Sequence, residues 1–139
     1  MKDKDLDFEL SFYEGILKKN PNFVQVLFIL GDLYTKKGWY KKSLEIDKRL
    51  ARLRPQDEIV YYNLACDYSL LKNIDASLKA LRKALKLGFQ DFHLMEKDPD
   101  LDYVRQDKRF QELILEFKKG KLRKFKSLKK LKTKGYRSR

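Results

Sequence analysis

The chain has 139 residues, with 33 Lys or Arg against 20 Asp or Glu, so its net charge is +13. That length suits one domain, and the scarcity of Gly and Pro favours helices joined by short turns over a many-turned sheet protein. One cysteine excludes an internal disulfide framework. The charged N-terminus and the lack of any long apolar run predict a cytoplasmic protein without a signal peptide or a transmembrane span.

The positive charge is concentrated at one end. Residues 118–139, which we call the basic tail, contain twelve Lys or Arg and no acid, whereas residues 1–117 are close to neutral. The body and the tail therefore need separate explanations. The cations that we expect to bind partners from the tail are Lys121, Arg123, Lys124, Lys126, Lys129, Lys130 and Lys132.

The first predicted helix covers about residues 5–20, because its apolar residues recur at steps of three to four. They are Leu6, Leu10, Tyr13 and Leu17. Pro21 ends this helix. Two helices are predicted next, at about residues 23–36 and 39–53, separated by Gly38, a residue type that commonly closes a helix in the left-handed conformation.

A second pair of helices is predicted at about residues 57–71 and 74–87, and it repeats the first pair. Residues thirty-four positions apart are alike: Leu27, Leu30, Gly31 and Tyr34 recur as Tyr61, Leu64, Ala65 and Tyr68. A period of this length indicates a helix–turn–helix repeat that buries its apolar face by stacking on its neighbours.

These residues resemble the tetratricopeptide repeat pattern of a bulky residue, Leu-Gly, Tyr, and later small and aromatic positions. Residues 24–57 match it with Leu27, Leu30, Gly31, Tyr34, Gly38, Tyr40, Ser43 and Pro55, and residues 58–91 with Tyr61, Leu64, Ala65, Tyr68, Ser77, Leu81 and Ala84. Residues 5–23 fit only the latter half of a repeat. Asp47 departs from the pattern, because the family has an aromatic residue there. The resemblance implies an all-α, right-handed superhelix of helix hairpins.

Residues 92–117 are predicted to cap the last repeat and to end the repeat domain, which covers residues 1–117. An Asp98-Pro99-Asp100-Leu101 turn leads to Phe110, Leu113, Ile114 and Phe117, an amphipathic helical stripe. This segment resembles one that often follows bacterial tetratricopeptide repeats, and it favours a bacterial source.

The sequence offers little for catalysis, and we predict no enzyme, no metal and no cofactor. His93 is the only histidine, and Cys66 has no base suggested beside it. The aspartates at positions 98, 100 and 102 lack the glycine and closing glutamate of a calcium loop, so we interpret them as helix caps.

The resemblance implies a concave binding groove along the first helix of each pair. Its lining residues would be Gln25, Phe28, Asp32, Thr35, Lys36, Ile59, Tyr62, Asn63, Cys66 and Ser69. Phe28 and Tyr62 would be aromatic anchors for a ligand, or would alternatively pack against the flanking helices. Some members of the family clamp a peptide carboxylate with Lys and Asn, but Phe28 and Asp32 occupy two of those places here.

The sequence therefore predicts a non-enzymatic scaffold that binds a protein or peptide in its groove. An alternative is a nucleic-acid or ribosome-associated protein that binds through the basic tail. The tail could alternatively bind an anionic membrane surface or an acidic protein, or be a solvated solubility tail that needs no partner. It is predicted to extend the last helix with an interruption at Gly120. The incomplete first repeat leaves self-association open.

Overall fold

The computed structural model describes the backbone of residues 2–137 and the side chains of residues 5–130. Within residues 2–137 the chain consists of helices joined by short turns, without a strand. The helices are α1 (Lys2–Lys19), α2 (Val24–Lys37), α3 (Tyr40–Leu53), α4 (Glu58–Leu70), α5 (Ile74–Lys86), α6 (Phe92–Lys97), a short 3₁₀ turn (Pro99–Leu101), α7 (Asp102–Arg105) and α8 (Lys108–Arg137). None of the helices in that range is long and apolar enough to cross a membrane.

The helices form two stacked hairpins between an N-terminal helix and a C-terminal cap. Helix α2 pairs with α3 and α4 with α5, α3 packs against α4, and α1 covers the free side of α2. The predicted all-α, right-handed superhelix of hairpins is therefore confirmed. This arrangement lets each hairpin bury the apolar face of the next.

The two hairpins turn in the same way. The Trp39 amide donates to the Tyr34 carbonyl at 2.8 Å, and the Asn73 amide donates to the Tyr68 carbonyl at the same distance. Gly38 closes α2 with φ +79°, in the left-handed conformation that its lack of a Cβ permits. The equivalent residue of the second hairpin, Lys72, adopts φ +62°.

Buried apolar side chains form one cluster toward each end of the stack. The N-terminal cluster joins α1, α2 and α3 through residues such as Leu10, Leu27 and Leu50. The C-terminal cluster joins α4 and α5 to the cap, in which Phe110 is fully buried. The cap is thus part of the core, and it covers the last hairpin as predicted.

Asp98 and Arg105 fix the shape of the cap. Asp98 Oδ1 accepts a hydrogen bond from the Asp100 amide at 3.0 Å, which confirms the capping role predicted for Asp98 but not that predicted for Asp100 and Asp102. The Arg105 guanidinium donates to the Met95 carbonyl at 2.9 Å and to the Asp98 carbonyl at 2.7 Å. Three chain segments are therefore tied together at this corner.

Helix α8 runs on into the basic tail without a break, so the predicted interruption at Gly120 is wrong. A glycine inside a helix costs only about 1 kcal/mol relative to alanine, and its neighbours are good helix formers. Lys118 lies 2.9 Å from Glu96, and Lys121 lies over the Phe92 ring. The side chains of residues 121–130 are exposed, and that of Lys132 lies outside the described residues.

Candidate ligand-binding groove

A pocket of about 120 Å³ opens between α2 and α4, and Asp98 and Asp100 of the cap form one of its walls. Its lining residues come from α2, α3, α4 and the cap. They are Phe28, Gly31, Asp32, Thr35, Asp47, Tyr62, Asn63, Cys66, Asp67, Asp98 and Asp100.

Six of the ten groove residues implied by the family resemblance line this pocket. They are Phe28, Asp32, Thr35, Tyr62, Asn63 and Cys66. Gln25, Lys36 and Ile59 are exposed residues that do not line it. Lys36 instead forms a surface ion pair with Asp32, at 3.1 Å.

Ser69 lies beneath the cap, away from the groove. Its side chain is fully buried, and its hydroxyl accepts a hydrogen bond from the Val104 amide at 3.2 Å. Placing it in the groove overlooked the cap, whose contact with α4 the repeat pattern alone does not contain. Its counterpart in the first hairpin, Thr35, has no cap above it and remains half-buried at the pocket.

Tyr62 is a packing residue more than an aromatic anchor. Only 6% of it is exposed, its ring stacks on Phe89 with centroids 4.4 Å apart, and its hydroxyl donates to Asp98 Oδ2 at 2.6 Å. Burial, together with the neighbouring thiol of Cys66 and carboxylate of Asp98, raises the pKa of Tyr62. Of the two predicted anchors, Phe28 is the one whose ring is half-exposed beside the pocket.

Two aspartates lie in the floor of the pocket, and the groove residues predicted from the sequence did not include either. Asp47 on α3 is 4% exposed and Asp67 on α4 is 2% exposed. Ser43 donates to Asp67 Oδ1 at 2.7 Å, whereas Asp67 Oδ2 has no hydrogen-bond partner among the described residues. Burial raises the pKa of both carboxyls, and the proximity of Asp47 raises that of Asp67 further. The pair therefore holds a proton where isolated aspartates would be ionised.

Gly31 makes room for this pair. A Cβ at position 31 would lie 3.2 Å from Asp47 Oδ1, closer than a relaxed contact. The Gly31 carbonyl also accepts a hydrogen bond from the Thr35 hydroxyl at 3.0 Å, and the Ser43 hydroxyl, which donates to Asp67, lies 3.2 Å from it. Glycine thus lets the α3 carboxyl reach the inner side of α2.

The cap contributes two more carboxylates. Asp100 is half-buried, and its pKa is raised first by burial and then by the charges of Asp98, Asp32 and Asp102. Burial, followed by the charges of Asp98, Asp100 and Asp67, raises the pKa of the Cys66 thiol well above its usual value. A thiol with a raised pKa is a poor nucleophile at neutral pH, so Cys66 is suited to a structural role.

The pocket is therefore acidic. Five of its eleven lining residues are aspartates, and none is Lys, Arg or His. Within the described part of the chain, no three His, Cys, Asp or Glu side chains are arranged to hold a metal ion. The sequence did carry a signal for this feature, since Asp47 places a charge where the repeat pattern has an aromatic residue.

Comparison with known proteins finds two tetratricopeptide repeats in this chain. Residues 24–57 and 59–88 match the tetratricopeptide repeat. A chloroplastic protein of Arabidopsis thaliana is 38% identical over 87 residues, which are 60% of this chain but 26% of that protein. The chain thus spans about a quarter of the length of this relative.

Two solved structures share the fold. A crystal structure of MamA superposes with a TM-score of 0.68 at 24% identity, over 84% of this chain and 66% of that one. A MamA fragment from Desulfovibrio magneticus RS-1 gives 0.64 at 18% identity, over 86% and 70%. Since the relatives include a plant protein, the predicted bacterial source stays a prediction.

Proposed function

Because residues 24–57 and 59–88 match the tetratricopeptide repeat, we propose that the protein is a non-enzymatic scaffold that holds a segment of a partner protein in the groove between α2 and α4. Repeats of this family serve in general as protein-interaction scaffolds, and the family that matches is not a catalytic one. The observation that supports the proposal is the pocket between α2 and α4, which six of the predicted groove residues line.

The groove offers two kinds of contact. Phe28 presents a half-exposed ring, and partly exposed aromatic side chains often supply much of the binding energy of an interface. The side-chain amide of Asn63 also lines the pocket and can pair with the backbone of an extended ligand. An apolar contact surrounded by hydrogen-bonding groups suits a peptide segment better than a small apolar molecule.

Photo-crosslinking tests this proposal. A benzophenone amino acid in place of Phe28 should crosslink a partner in extracts of the source cells. The matched control places the same residue at Leu115, which is 52% exposed on α8 and outside the pocket. Equal crosslinking from both positions, or crosslinking from position 115 alone, would contradict groove binding.

Removing residues 120–139 tests whether the basic tail, rather than the groove, binds the partner. Groove binding predicts that crosslinking from position 28 survives this truncation and nuclease treatment. If the partner is instead lost, and the wild-type complex weakens steeply with salt, the tail carries the interaction by displacing counterions from nucleic acid. Self-association also stays a prediction, which light scattering at two protein concentrations checks.

We propose a cytoplasmic location on the composition of the chain. The name of the plant relative places that protein in the chloroplast. Immunolocalisation of the untagged protein separates the two compartments.

A further inference from the structure

We propose that the acidic pocket beneath the groove binds one lysine or arginine side chain of the partner segment. This proposal rests on the proposed function, because the groove must first hold a protein ligand. It adds the chemistry of that ligand: a segment with a long cationic side chain directed between α2 and α4.

The charges lining the pocket suit a cation. Asp32 lies at its edge on α2, Asp47 and Asp67 lie in its floor, and Asp98 and Asp100 stand on the cap side. Lys36 pairs with Asp32 on the exposed side of α2 and is not a lining residue. A ligand cation would therefore meet carboxylates on three sides without a competing positive charge among the lining residues.

An unpartnered buried atom points into this site. Asp67 is almost fully buried, since 2% of it is exposed, and Ser43 satisfies only its Oδ1. Its Oδ2 lacks a donor among the described residues. A proton shared with Asp47 offsets the cost of burying this oxygen in the free protein, and an ammonium or guanidinium group of a ligand would donate to it in place of that proton.

The size of the site limits what enters. A cavity of about 120 Å³ holds the head group of one side chain and excludes a folded element. The half-exposed ring of Phe28 lies at the same opening, where it can cover the aliphatic stem of a lysine or stack on a guanidinium.

In the free protein, a proton held between Asp47 and Asp67 takes the place of the cation. Their raised pKa values follow from burial and from each other's proximity. A bound cation favours the ionised pair and expels that proton, so binding should tighten as pH rises. The titratable groups that face Asp67 are Asp32 of α2, Asp47 of α3, Tyr62 and Cys66 of α4, and Asp98 and Asp100 of the cap.

The test titrates the full chain with arginine amide, lysine amide and norleucine amide, observed through backbone amide NMR shifts. We expect the two cationic probes to shift the signals of Asp32, Cys66 and Asp67 in a saturable way, and more strongly at pH 8 than at pH 6. Norleucine amide has a similar stem without the side-chain charge and should leave these signals in place.

Two variants locate the binding. Asp67→Asn keeps an acceptor for Ser43 and should weaken the binding of arginine amide by about tenfold or more. Asp100→Asn, on the half-buried cap wall, should weaken it too and serves if Asp67→Asn does not fold. Asp5→Asn makes the same charge change on α1, outside the pocket, and should bind like the wild type.

The proposal is overturned if norleucine amide binds as well as arginine amide, or if Asp100→Asn binds the cationic probes within twofold of the wild type. Either result leaves groove binding intact when crosslinking from position 28 succeeds. If that crosslinking fails while the cationic probes bind, the pocket chemistry is right and the proposed groove ligand is wrong.

Discussion

The two hairpins share a pattern but fill one equivalent position with opposite chemistry. The Ser43 hydroxyl lies 3.2 Å from the Gly31 carbonyl, and the hydroxyl of Ser77, thirty-four positions later, donates to the Ala65 carbonyl at 2.7 Å. Beside these contacts, however, the first hairpin buries Asp47 and the second buries Leu81. The second hairpin thus shows that packing favours an apolar residue at this position. The first hairpin has an aspartate there instead, and that aspartate lines the pocket.

The largest difference is expected from exchanging these residues. Leu81→Asp puts a carboxylate into an apolar site without a partner and should lower the free energy of unfolding by about 4 kcal/mol or more. Asp47→Leu should change it by no more than about 1 kcal/mol, because it removes a buried carboxyl whose proximity disfavours ionised Asp67, while Ser43 still donates to Asp67. Urea unfolding measures both. Similar losses in the two variants would show that the hairpins make equal demands on this position.

The pH dependence of the free energy of unfolding tests whether Asp47 and Asp67 hold a proton in the folded protein. The raised pKa of Asp67 means that the folded state keeps a proton that the unfolded chain loses above about pH 4. This contribution to stability is therefore complete below pH 4 and is lost as pH rises toward the folded pKa. Asp67→Asn removes this contribution. As pH rises, the free energy of unfolding of the variant should therefore increase relative to that of the wild type by up to about 1.4 kcal/mol per pH unit.

Urea unfolding at pH 5, 6 and 7 measures this gain. Asp32→Asn, at an exposed position of the same pocket, is the matched control. Its free energy of unfolding should differ from that of the wild type by the same amount at each pH. A gap between Asp67→Asn and the wild type that stays constant with pH would show that the pair holds no proton.

A double-mutant cycle tests how Gly31 and Asp47 depend on each other. Gly31→Ala should destabilise the protein by about 1 kcal/mol, because the new Cβ crowds Asp47 Oδ1 at 3.2 Å. In an Asp47→Ala background the same change should stabilise it by about 1 kcal/mol, through helix propensity alone. Ala65→Gly, at the equivalent position of the second hairpin, should cost the same in both backgrounds. Additive effects at position 31 would show that glycine is not needed for the carboxyl's approach.

The smallest effect is expected at the turn that ends α4. Lys72 has a positive φ of 62° where the first hairpin has Gly38. Lys72→Gly should relieve about 1 kcal/mol of backbone strain. Part of this gain is offset because the variant also loses the contact of the Lys72 ammonium with the Tyr103 ring, at 5.0 Å. We expect a small rise in melting temperature by calorimetry. Lys79→Gly, inside α5, should lower it, and a fall in both variants would contradict the strain at position 72.

Much of this architecture follows from the spacing of residues. The period of thirty-four, Gly38 at the end of α2 and the stripe through Phe110 led to the hairpins and the cap, and the structure has them at nearly those bounds. The groove was harder to predict, because a repeat pattern treats equivalent positions alike. Phe28 and Thr35 remain open at the pocket, whereas Tyr62 and Ser69 are buried under the cap.

The sequence by itself determined the helices and their pairing, because those depend on local periodicity and on residue types that recur along the chain. Only the tertiary structure decided that aspartates from α2, α3, α4 and the cap meet in one pocket. Their positions lie up to 68 residues apart, from Asp32 to Asp100, and no local pattern links them. What brings them together is the depth at which the cap packs on α4 and the space that Gly31 leaves for Asp47.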